Sequence, residues 1–178
     1  MAYVATEPLL NRIREVANGG LGSLRTITAA TFGSNLPDEF SPMADAVRAL
    51  AAPQVEPLIE EIERSPSSPP LVGNLALYRI RVRVRCVHRV PGWYQIKASE
   101  RDDVKGAAAQ ASDQLAQALS WPGNLTATSG GTPTGLVSGM LSYLKSTIAP
   151  VSVVEDGAAV IATDHLFTGT IKSAPAAS

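Results

Sequence analysis

The 178-residue chain has one cysteine, Cys86, so no disulfide can form within it. A reducing compartment is compatible with that count. Charge is scarce as well: 17% of residues are charged, against about 25% in an ordinary domain. Such a thinly charged surface suggests that partner chains cover part of it. The net charge of −1 and pI near 6.1 exclude any general pull toward nucleic acid or an anionic membrane. No apolar run approaches the roughly 18 residues that a membrane span needs. Glu7 and Glu15 interrupt the N-terminal stretch, which has no apolar signal-peptide core, so no secretory leader is expected.

Catalytic and metal-binding signatures are also missing. No phosphate-binding glycine loop or dinucleotide fingerprint occurs. "GLVSG" at 135–139 has its serine one place too late for a nucleophile elbow. His88 and His165 are the only histidines. Cys86 and His88 share a strand face, but two ligands without a second cluster make a poor metal site. A packed thiol beside a half-exposed imidazole is the simpler expectation. Asp164 and His165 are adjacent on a strand and so point to opposite faces, which rules out direct pairing. The sequon at Asn124 carries no information without a leader. We expect no catalytic residue, cofactor or metal.

What remains is apolar periodicity. At 45% hydrophobic residues, the chain has material for a core. Residues 7–20 predict a helix with Leu9, Leu10, Ile13, Val16 and Ala17 in one stripe and a stop at Asn18-Gly19-Gly20. A strand over 23–32, a loop over 33–41 and a short helix over 43–52 follow. Residues 54–64 are ambiguous: Val55, Leu58, Ile59 and Ile62 fit helical spacing, whereas Pro57 suits an edge strand. "SPSSPPLVGN" predicts an extended loop, and 75–90 a long strand with a bend at Cys86-Val87. The strongest helix starts near Ser99 as N-cap, with Val104, Ala108, Ala111, Leu115, Ala118 and Leu119 as its apolar stripe, and stops at Pro122-Gly123. Beyond a small-residue loop at 125–135 the chain is β-rich, with a turn at Glu155-Asp156-Gly157. The organisation expected is one domain over 1–171, an extended loop around 64–75, and a flexible tail over 172–178.

The unusual feature is "LYRIRVRVRCVHRV". Arg79, Arg81, Arg83 and Arg85 occupy alternate positions and span roughly 20 Å on one face of a strand. Ile80, Val82, Val84 and Cys86 fall on the other face, predicted to pack beneath the alanine-rich helix. Three readings of the arginines stand open. They meet carboxylates of their own chain, with Glu56, Glu60, Glu61 and Glu63 as the acidic partners. They meet the next subunit of an assembly. Or they touch phosphate, although no aromatics interleave to stack bases. The large aromatics Trp93, Tyr94, Trp121 and Tyr143 suit a core, or an interface in the case of Trp93, Tyr94 and Tyr143.

The order of elements resembles the tail terminator (tail completion) proteins of long-tailed bacteriophages. The resembling residues are "GAAAQASDQLAQAL" followed by Trp121-Pro122, then the "EDG" turn, then the closing "HLFTGTI". The resemblance implies an α+β domain, with a mixed or antiparallel sheet and helices packed on it, and favours a strand at 54–64. It implies a homo-hexameric ring that caps the tail tube, ends its polymerisation and joins a head connector or head-closure protein. Such a ring assembles in the host cytoplasm and sits in the virion neck, with genomic DNA crossing its lumen and no membrane involved. The four arginines would then face a neighbouring subunit or the lumen. The family brings no catalytic residue to transfer. The "SPSSPP" loop and the tail depart from its smaller members. Another head–tail joining component or a tube subunit is the nearest alternative, and a small DNA-binding module a more distant one.

Overall fold

A computed structural model of the chain describes residues 5–20, 46, 49–50, 53–65 and 76–172. The strand read over 23–32, the loop over 33–41, residues 66–75 of the loop read around 64–75 and residues 173–178 of the tail read over 172–178 lie outside the described residues; Arg64 and Lys172, at the edges of those two readings, end strands instead. Of the helix read over 43–52, only Ala46, Ala49 and Leu50 are described, and all three are helical.

The fold is α+β, with two long helices packed against a five-stranded antiparallel sheet. Helix α1 spans Glu7–Gly20 and is followed by strands β1, Gln54–Arg64, and β2, Leu77–Val90. A single 3₁₀ turn at Trp93–Gln95 leads into helix α2, Ala98–Leu119. Strands β3, Ser142–Ile148, β4, Ser152–Val153, and β5, Ala159–Lys172, complete the described elements. The sheet order is β1-β2-β5-β3, with β4 continuing the β3 side of β5.

Alternation organises the core. Ile80, Val82, Val84, Cys86, His88 and Val90 of β2 are buried on the helix side. From β5, Ala159, Ile161, Thr163, His165, Phe167 and Ile171 join them. β2 and β5 pair without interruption from Leu77↔Lys172 to Val90↔Ala159, so the pairing is not broken at Cys86-Val87, where a bend is expected. A fourteen-residue ladder holds that segment in register, and His88 is therefore buried rather than half-exposed.

α2 lies over two apolar clusters. Its first half, with Val104, Ala107 and Ala108, packs on Trp93, Ile96 and Ile161. Its second half, with Leu115, Ala116 and Leu119, packs with Leu9 and Ile13 of α1 and with Phe167. Small alanines let the helix approach the sheet closely. Its N-cap is Lys97, not Ser99, and makes no side-chain cap; Ser99 is already helical. At the other end Asn124 Nδ2 donates to the Ala118 carbonyl at 2.8 Å, which gives the sequon asparagine a structural task. Gly169 interrupts the buried face of β5 for a steric reason. A Cβ there would lie 2.9 Å from the side chains of both Leu136 and Leu141, which close that end of the core.

β1 is a strand, which settles the ambiguity at 54–64. Its irregularity explains the helical spacing. Val55 and Ile59 alternate normally, but the register shifts between Ile59 and Glu61. The bulge inserts Glu60, so Ile62, three residues beyond Ile59, still faces the helix side opposite Ile80.

Candidate functional site

Both helices lie on one side of the sheet, and the arginine row lies on the other. The bulge in β1 gives this open face its chemistry, because it sends both Glu60 and Glu61 there. Glu61 Oε2 lies 3.2 Å from Arg81 Nη1, and Glu60 Oε1 lies 3.2 Å from Arg83 Nε. Arg85 donates from Nε and Nη2 to the two oxygens of Asp164 on β5, both at 2.8 Å. Arg89 pairs with Asp156 in the turn that precedes β5.

Glu56 and Glu63 form no ion pair with these arginines among the described residues, although the Glu56 charge helps to raise Arg85. Glu56 faces Arg85 in the ladder but accepts a hydrogen bond from Gln54. Glu63 faces Arg79, yet among the described residues neither forms an ion pair. The strongest partner, Asp164, was missed because it lies 79 positions away in the chain, where only the β2–β5 register could reveal it. Its bidentate contact with Arg85 holds the Asp164 carboxyl below the usual carboxylate range and raises Arg85, while partial burial opposes the first effect. Arg85 is about half exposed, so the energy is modest. Asp164→Asn is expected to lower stability by about 1 kcal/mol, measured by urea unfolding, with most of the difference from wild type gone in high salt.

Arg79 and Arg81 line an open trough of ≈ 590 Å³ with Glu61, Glu63, Val137 and Leu144. Charges of both signs and two aliphatic side chains share this surface. It continues into the β3 side of the sheet, where large apolar residues reach solvent: Tyr143, Leu144 and Ile148 on β3, then Val153 and Val154. Of the aromatics expected at an interface, Tyr94 and Tyr143 are exposed, whereas Trp93 is buried in the second cluster. The Arg101 guanidinium stands 5.7 Å from the ring centres of both Trp93 and Tyr94 and donates to the Trp93, Tyr94 and Ile96 carbonyls, fixing the turn between β2 and α2. Trp121 is exposed beside the end of α2.

A chain of polar side chains runs inward from β3. The hydroxyls of Tyr143 and Ser146 are 2.7 Å apart. Ser146 Oγ lies 2.6 Å from His165 Nδ1, and Ser112 Oγ of α2 lies 2.5 Å from Nε2. A neutral imidazole has one N–H, so one hydroxyl receives it and the other donates to the ring. Burial lowers the His165 pKa. Ser112 and His165 are both sealed from solvent, so the contact satisfies a buried ring. Asp164 and His165 point to opposite faces, as adjacency on a strand requires.

Cys86 Sγ lies 3.6 Å from His88 Nε2. Burial pushes the thiol up to about 11 and the imidazole down to about 4. The Ala108 and Ala49 carbonyls approach His88 without closing a hydrogen bond of normal geometry onto Nδ1. Among the described residues no three His, Cys, Asp or Glu side chains cluster as a metal site would need, and no helix is long and apolar enough to cross a membrane. Compared with known proteins, the chain matches no family model, and no curated protein matches it.

Proposed function

We propose that this chain is a structural virion protein of the phage neck. It is a subunit of a homo-hexameric ring that caps the tail tube, ends tube polymerisation and joins the tail to the head connector. In this reading it is not an enzyme, and its partners are copies of itself, the tube protein and the connector or head-closure protein. The order of elements described above supports it. The observation that carries it is the β3–β4 border, where Tyr143, Leu144, Ile148 and Val153 are exposed along one side of an otherwise well-packed sheet. Such a border suits a chain buried by its neighbours. The internal pairing of Arg81, Arg83 and Arg85 suits a surface past which DNA moves without being read.

Sedimentation of the purified chain, alone and mixed with tail-tube protein, tests this. The expected mass is six times the 18.6 kDa of one chain. A chain that stays at 18.6 kDa and binds neither tube nor connector overturns the proposal. Open-ended tubes would assign it to the tube itself. Duplex binding that falls steeply with added salt would favour the DNA-binding reading instead.

A further inference from the structure

A closed ring needs two different surfaces on each subunit, one meeting the other on the next copy. Among the described residues the sheet has two outer strands, β1 and β3. Neither pairs on its outer side with another described strand, so each presents main-chain groups there. We infer that the ring seam is the β3 edge of one copy joined to the β1 edge of the next, continuing the sheet from subunit to subunit. This inference rests on the ring reading above and names the surfaces it leaves open.

Direction comes first. All pairings in β1-β2-β5-β3 are antiparallel, so β1 and β3 run in opposite senses. A rotation that carries one copy to the next about an axis along the strands brings β3 and the neighbouring β1 together as an antiparallel pair. Heterologous contact therefore requires no strand reversal.

Charge comes second, because it disfavours both ways of pairing like with like. Lys145 is the middle residue of Ser142–Ile148, and it is the only charged residue of that strand. Full antiparallel overlap of two β3 edges sets Lys145 against Lys145 of the other copy, and like charges directly opposite are destabilising. Two β1 edges would gather Glu56, Glu60, Glu61 and Glu63 from both copies along one seam. Pairing β3 with β1 instead brings Lys145 to an acidic strand.

Apolar side chains come third. β3 exposes Leu144 toward the open face, and Tyr143 and Ile148 toward the helix side. β1 exposes Leu58 on the open face opposite Arg83, and Ile62 on the helix side opposite Ile80. Both edges thus present apolar area on both faces of the sheet. Pro57 removes one main-chain donor from β1, so the seam draws mainly on the part of the strand beyond it.

Cross-linking tests the seam in the full-length chain. Leu58→Cys and Leu144→Cys are made singly; both positions are about half exposed. The native Cys86 is buried, with its thiol pushed up to about 11, so wild type serves as an unreactive control. The two variants are mixed and treated with a short bismaleimide, and the products are mapped by mass spectrometry. The expected main product joins position 58 of one copy to position 144 of another. In parallel, Leu144→Glu with Ile148→Glu, which sets carboxylates against the acidic β1 edge, is expected to keep the wild-type circular dichroism while its mass drops to 18.6 kDa. A dominant 144–144 product overturns the seam in favour of a two-fold β3 pair. A hexamer that shows no 58–144 product and survives the double glutamate variant overturns the seam but leaves the ring reading intact. Wild type that remains at 18.6 kDa, together with cysteine variants that yield no cross-linked product, overturns both.

Discussion

Phe167→Ala is expected to cost about 4 kcal/mol, the largest loss from any single truncation in this sheet. Phe167 is fully buried at the centre of β5, opposite Val82 in the ladder. Its ring meets Tyr143 edge-on with centres 5.9 Å apart and stands 6.3 Å from His165. Helices α1 and α2 both contribute to its cluster through Leu9, Ile13, Leu115 and Leu119. Removing the ring leaves a cavity that a sheet backed by two helices cannot close by collapse. Because domains are stable by only about 5–15 kcal/mol, a loss of this size is a large fraction of the total. Urea unfolding should show a much lower midpoint with an unchanged slope. Phe167→Leu should restore more than half of the loss. A fall below about 1 kcal/mol for the alanine variant would mean that the cluster is not close-packed around this ring.

Acid is expected to remove about 3 kcal/mol of stability between pH 7 and pH 4 through His88. In the fold its pKa lies at about 4, against 6.5 for the free side chain, because burial disfavours the imidazolium. Between those values the unfolded chain binds the proton and the folded chain does not. The stabilisation is therefore complete above pH 6.5 and is lost progressively as pH falls toward 4. His165, lowered in the same direction by the same cause, adds to the slope. The depressed carboxyls of Asp164, Asp156 and Glu15 act in a lower window, since their stabilisation disappears only as pH falls through their reduced values. Urea midpoints measured across this range should decline steadily from pH 6.5, and His88→Phe should flatten the decline without abolishing it. A wild-type profile level from pH 7 to pH 4.5 would contradict a neutral, buried His88.

Much of the architecture was legible because it depends on local patterns. The stripe Leu9, Ile13 and Ala17 marked α1, and Val104, Ala108, Ala111, Leu115 and Leu119 marked α2. The two-sided character of 77–90 followed from strict alternation. The turn at 155–157 followed from its residue types: Asp156 Oδ1 accepts from the Ala158 N–H, and Gly157 takes φ 79. The buried role of Ser112 was not legible. A serine within an alanine-rich helix declares nothing until His165 is found to face it.

The failures share one cause. Residues 54–64 read equally well as helix because a bulge displaced their alternation by one residue, and a bulge is defined only against its partner strand. A bend was expected at Cys86-Val87 because the pattern weakens there, yet the ladder to β5 carries the strand through it. Glu60 and Glu61 do meet arginines, but the Asp164 partner of Arg85 is visible only through the β2–β5 register.

By itself, then, the sequence determined which segments have an apolar face, where α2 ends and the last turn lies, and that the arginines share one side of a strand. Those properties depend on residues within a few positions of one another. Only the tertiary structure decided which carboxylates meet those arginines, that His88 is buried, and that β3 and β1 are the outer strands of the sheet among the described residues. Each of these depends on strand order and register, which are set by contacts between residues far apart in the chain.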